Sequence, residues 1–119
     1  MPSGARYILI CCLALLMAVL LAGCISVNIG EARYSDGGVT VLISNTGEPT
    51  DAYIQITVYA IKELHQTEVA VFNTSVALQK GENSVVVPGQ LEPGNYKLYV
   101  YLIQNHERRA AVIRDIVVS

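Results

Sequence analysis

Between Ala52 and Ile61 the chain alternates with a period of two. Ala52, Ile54, Ile56, Val58 and Ala60 fall on one side, and Tyr53, Gln55, Thr57, Tyr59 and Ile61 on the other. Successive side chains of a β-strand point to opposite faces, whereas apolar residues of an amphipathic helix recur every three or four positions. The spacing therefore predicts a half-buried strand. The pattern returns further on, where Tyr96, Leu98, Val100 and Leu102 oppose Lys97, Tyr99, Tyr101 and Ile103. Val, Ile and Thr supply 29 of residues 25–119. Their restricted χ1 suits a pleated surface and extends the β expectation to the whole segment.

Turn signals interrupt this segment at short intervals: Asp36-Gly37-Gly38, Asn45-Thr46-Gly47-Glu48-Pro49, Lys80-Gly81-Glu82-Asn83, Pro88-Gly89 and Glu92-Pro93-Gly94-Asn95. Short apolar runs between such signals predict an antiparallel sandwich or barrel. The expected strands are 26–35, 38–45, 52–62, 67–73, 75–78 continuing with 83–88, 95–104 and 109–118. The fourth is either a C′ or a D strand. Residues 60–65 admit a helical turn instead, since Lys62, Glu63 and Leu64 are good helix formers. The expected fold class is all-β: a single antiparallel β-sandwich of about seven strands after an N-terminal signal segment.

The first 24 residues differ in kind. Nineteen of them are apolar, against 43 of the remaining 95. Arg6 is the only positive side chain before Arg33, and residues 7–22 run YILICCLALLMAVLLA without a charge. As a helix this run spans roughly 24 Å, short of a bilayer core of about 30 Å. A charged start, an apolar run and a small-residue exit are the parts of a secretory signal. The exit Leu21-Ala22-Gly23-Cys24 resembles the lipobox of prokaryotic lipoproteins. That resemblance implies diacylglycerol on the Cys24 thiol and cleavage just before it. It makes residues 1–23 a signal peptide, 24–27 a lipid-anchored tether and 28–119 the domain. An uncleaved membrane helix, or cleavage by ordinary signal peptidase, is the alternative. Cys11 and Cys12 would leave with the signal, so Cys24 would be the only cysteine of the mature chain. With no disulfide, a segment of 95 residues relies on a core that buries roughly 60–65% of its unfolded surface.

Two stretches carry a further resemblance. VTVLISNTGEPTDAYIQITVYAI and LQKGENSVVVPGQLEPGNYKLYVYL are similar to the CARDB-type immunoglobulin-like modules of bacterial and archaeal surface proteins. The likeness covers most of residues 36–104. Fibronectin type III domains share the Leu-x-Pro-Gly-x-Tyr feature at Leu91–Tyr96, so both families stay open. No Trp and no cysteine pair are present, unlike antibody domains. Each piece has a physical reading. Asn45 and Gly47 tolerate or adopt positive φ, which lets a strand end in a tight bend. Pro49 fits a loop or an edge. Leu91 plugs one end of the core, and Tyr96 occupies the place of a tyrosine corner.

Chemistry-bearing patterns are sparse. His65 and His106 are the only histidines, and they lack partners at metal-ligand spacing. Asp36, Glu48 and Asp51 are scattered loop acids, too few for calcium. There is no phosphate loop and no nucleophile elbow. Eight Lys and Arg and a net charge of −2 argue against nucleic acid. No catalytic residue, metal ligand or cofactor is expected. The tyrosines carry more. With the isoleucine side of one strand and the leucine side of the other facing the core, Tyr53, Tyr59, Tyr99 and Tyr101 share one outer face. Tyr joins a large apolar body to a polar tip and is enriched at binding surfaces. The same arrangement is also ordinary cross-strand pairing. Asn73-Thr74-Ser75 is an N-glycosylation sequon expected in a loop, where a glycosylating host would modify Asn73. Arg108 and Arg109 form a basic pair at a turn.

These residues predict an exported, non-enzymatic lipoprotein, anchored to the membrane through Cys24 at the periplasmic or extracellular face of the cell envelope. Its partner would be a protein or a glycan. An accessory subunit of an envelope assembly, or a small metal-binding protein or enzyme, are the rival readings.

Overall fold

The structure, a computed structural model, describes Cys11 and residues 26–119. Apart from Cys11, the signal segment 1–23 lies outside the described residues, as do Cys24 and its proposed lipid. Seven strands follow: β1 (Val27–Ser35), β2 (Gly38–Asn45), β3 (Thr50–Lys62), β4 (His65–Leu78), β5 (Gly81–Pro88), β6 (Gly94–Gln104) and β7 (Glu107–Val118). They form two antiparallel sheets, ordered β1-β2-β5 and β4-β3-β6-β7. The fold is an all-β sandwich. The chain changes sheets between β2 and β3, between β4 and β5, and between β5 and β6. Its fourth strand pairs with β3, the C′ position, and not with the β1-β2-β5 sheet as in antibody constant domains.

Alternation sets what is buried. Ile54, Ile56, Val58, Leu98, Val100 and Leu102 from one sheet join Val39, Val41, Ile43 and Val87 from the other in one apolar cluster. Val27, placed in the tether by the lipobox, opens β1 and is buried at 9% exposure. Ser26 is held too, since its carbonyl accepts the Thr46 N–H at 2.8 Å.

Two local expectations are corrected, and the helical alternative over 60–65 falls away. Residues 75–78 continue β4 and do not begin the next strand, because Thr50–Tyr53 pair with them and the alternation runs unbroken through Asn73-Thr74-Ser75. The helical turn over 60–65 is absent. β3 and β4 meet in a two-residue hairpin at Glu63 and Leu64, whose φ values are +57° and +122°. Asn45 and Gly47 do not adopt positive φ. The buried Asn45 ends β2 through its side chain instead, accepting the Gly47 N–H at 3.0 Å and donating to the Glu48 carbonyl at 3.1 Å. Asp36-Gly37 and Asn105-His106 are likewise two-residue hairpin loops at positive φ.

The loop between β5 and β6 is pinned at two points. The Tyr96 hydroxyl donates to the Glu92 carbonyl at 2.6 Å, as a tyrosine corner does. The Leu91 N–H donates to the Tyr34 hydroxyl at 2.9 Å, and the Leu91 side chain packs against the core. One open side of the sandwich is closed by Arg114 of β7. Its guanidinium donates to the carbonyls of Gly30 and Ile29 in β1, at 3.1 and 3.4 Å.

Candidate functional site

The four-stranded sheet has one face in the core and one open to solvent. β3 and β6 are neighbours, and their register places Thr57 opposite Tyr99, Gln55 opposite Tyr101, Tyr59 opposite Lys97 and Tyr53 opposite Ile103. Directly opposed residues of an antiparallel pair point to the same side. The inward side holds the buried Ile54, Ile56, Leu98 and Val100. All four tyrosines therefore stand on the outer face, each half-buried. Tyr59 and Tyr99 meet edge to face, with ring centroids 5.0 Å apart and planes at 68°. This is the geometry favoured by the ring quadrupoles. Thr57 lies opposite Tyr99 and two residues from Tyr59, and it is buried although it points outward.

The outer strands widen this surface with Asn73 of the sequon and with residues not singled out in the sequence. On β4, Val71 lies opposite Thr57 and Asn73 opposite Gln55. On β7, Ile113 lies opposite Tyr99 and Asp115 opposite Lys97. Val71 and Ile113 are 46% and 53% exposed, so an apolar rung crosses the face through Tyr99. Polar groups rim it. Lys97 pairs with Asp115 at 3.6 Å, and the Tyr99 hydroxyl donates to Gln66 Oε1 at 3.4 Å. The Arg108 guanidinium stacks 4.0 Å from the centre of the Tyr101 ring, a cation–π contact. Arg108 thus belongs to the face. Arg109 pairs with Glu107 at 3.3 Å. The alternation of β7 could have signalled Ile113. The Arg108 contact depends on a register shift near Leu102 and Ile103 that no sequence pattern announces.

Beside Tyr53, at the end of the sheet where β3 begins, the surface sinks into an open depression of about 730 Å³. Asp51, Ser75, Gln104 and His106 supply its polar groups. His65 does not join them. It starts β4 at the far end of β3, and thirteen residues at about 3.3 Å each separate the two ends by roughly 40 Å. Asp36 lies in the turn before β2, away from Glu48 and Asp51 beside the start of β3. Among the described residues no group of three or more His, Cys, Asp and Glu could hold a metal ion. Asn73 is exposed within β4, so the sequon lies in a strand and not in the expected loop.

No protein-family model matches the chain, and no curated protein matches it. Among solved structures it is similar to a putative β-galactosidase from Bacteroides fragilis, with a TM-score of 0.51 and 18% identity. The match covers 78% of this chain and 16% of the other. The chain thus spans about a sixth of that protein's length, and the likeness is one of sandwich fold alone.

Proposed function

We propose that this protein is a cell-envelope lipoprotein, held in the membrane by lipid on Cys24, whose sandwich acts without catalysis as a binding or scaffolding module for a protein partner. The observation that carries the reading is the outer face of β4-β3-β6-β7. Four tyrosines share it with exposed Val71 and Ile113, and charged groups stand at its rim. Aromatic centres with polar rims are the usual anatomy of protein interfaces. The anchor rests on the lipobox resemblance. The chain enters the fold at Ser26, beside Thr46. A lipid on Cys24 would hold that end near the bilayer and leave the tyrosine face to the side.

A glycan partner is a second reading, favoured by the depression beside Tyr53. An aromatic ring next to Asp51, Gln104 and His106 offers both stacking and hydrogen bonds to a sugar. Service as an accessory subunit of a larger envelope assembly is a form of the first reading and uses the same face.

Cross-linking in cells, followed by mass spectrometry of the tagged protein from its native membrane, tests both parts. The expected result is a lipid-modified N-terminal Cys24 and one dominant partner linked through β3, β6 or β7. Tyr99→Ala should reduce that link at least tenfold, while Leu42→Ala on the opposite sheet should leave it unchanged. Peptides from residues 1–23 still attached would overturn the lipobox reading. Equal linking in both variants would overturn the tyrosine face. Lipidation with no protein link, and envelope glycan retained on the Tyr53 depression, would favour the second reading.

A further inference from the structure

We propose that β4 is the seam of a homodimer, in which two copies of the chain pair antiparallel through residues 70–78 and join their four-stranded sheets. A sheet edge presents a row of unpaired N–H and C=O groups, and proteins blunt such edges with charges, proline, bulges or a covering element. The two sheets have four edges: β1, β5, β4 and β7. Three are blunted. β1 carries a register shift between Ile29 and Ala32. Arg114 reaches from β7 onto its carbonyls, and β7 itself carries Arg109, Arg114 and Asp115. β5 is only eight residues long, contains Glu82 and ends in Pro88.

β4 has no charge, proline, glycine or bulge over its last nine residues, which read AVFNTSVAL, and the Gly89 backbone that lies against the Phe72 ring sits on their inward side. Their pairing with β3 is regular from Ala70 opposite Val58 to Leu78 opposite Thr50, and the one register shift of β4 lies outside them. That makes an open ladder of about 30 Å.

The occupant follows from the order of the residues. Three apolar residues precede three polar ones, and three apolar ones follow. The stretch is a palindrome of polarity about Thr74. An antiparallel copy centred there sets Ala70 against Leu78, Val71 against Ala77, Phe72 against Val76, Asn73 against Ser75 and Thr74 against itself. Each pair matches in polarity, and both members lie on the same face of the joined sheet. A slip of one residue would turn the second core to the wrong side. A slip of two in either direction would set Phe72 or Val76 against Thr74. Self-complementarity about a two-fold axis is what an interface between identical chains requires. An uncharged edge offers nothing to a partner chosen by charge.

The pairing would make the two outer tyrosine faces one continuous surface. It would also place the two N-termini at opposite ends, so that two chains anchored in one membrane carry the sheet along it. The inference is independent of what the tyrosines bind.

The full chain in mild detergent, at micromolar concentration, is the material for the test. Light scattering should give twice the chain mass for the unaltered protein. Thr74→Lys, which opposes two like charges across the axis, should give the single mass. Under mild oxidation Thr74→Cys should form a disulfide between the two substituted positions. Peptide mapping would separate it from links made by Cys11, Cys12 or Cys24. Ala77→Cys should not link to itself but should link to Val71→Cys in a mixture. A single-chain mass for the unaltered protein with no link at position 74 would overturn the proposal. So would self-linking of Ala77→Cys, or linking of Thr74→Cys to a different protein in native membranes. If Thr74→Lys fails to fold, the linking pattern decides alone.

Discussion

Asn45 shows how much one side chain can organise here. It is almost completely buried, yet its amide group bonds both the Gly47 N–H and the Glu48 carbonyl. Removing it would leave both backbone groups without their partner. Asn45→Ala is expected to cost about 2 kcal/mol, measurable as a lower denaturant midpoint at unchanged slope. A residue of this type before a Gly and a Pro marks a turn in the sequence. Whether it bends its own backbone or ties down its neighbours is a matter of side-chain geometry, and the hydrogen bonds decide for the second. Tyr96 was legible for a simpler reason. A Pro-Gly turn just before a tyrosine that leads an alternating strand leaves its hydroxyl within reach of the loop carbonyl at Glu92.

At the scale of elements, strand existence was legible nearly everywhere, and strand ends were not. The runs in β3 and β6 fix their faces by period alone. In the sequence the polar Asn73-Thr74-Ser75 splits β4 in two, because local polarity resembles a loop. In an edge strand such residues can face solvent while the ladder continues beneath them. The hairpin between β3 and β4 was likewise hidden by helix-forming residues, since Glu63 and Leu64 turn the chain at positive φ against their own preference. Leu64 does so fully exposed, burying nothing in return. Leu64→Gly should relieve the strain and raise stability by about 1 kcal/mol, seen as a higher melting temperature with the β-sheet spectrum unchanged. A lower melting temperature would mean that Leu64 makes contacts that stabilise the hairpin.

At the scale of the molecule, two sheets meet around one core and are tied along an open side by Arg114. Arg114→Ala should cost about 1–2 kcal/mol, since charged donors to carbonyls are worth more than neutral ones. Amide exchange in β1 around Gly30 should quicken more than exchange in β6, and uniform acceleration would instead indicate general loosening. The all-β class, the inward faces of β3 and β6, the shared outer face of the four tyrosines and the tyrosine corner were readable from the chain alone. Period-two patterning and turn chemistry are local and act over a few residues. The assignment of β4 to the sheet of β3, the apolar rung from Val71 through Tyr99 to Ile113, the stacking of Arg108 on Tyr101 and the bareness of one edge among four were decided only by the tertiary structure. Each depends on which distant strands become neighbours and in what register. Local alternation sets a residue's face, but its partner is chosen by the packing of the whole sheet.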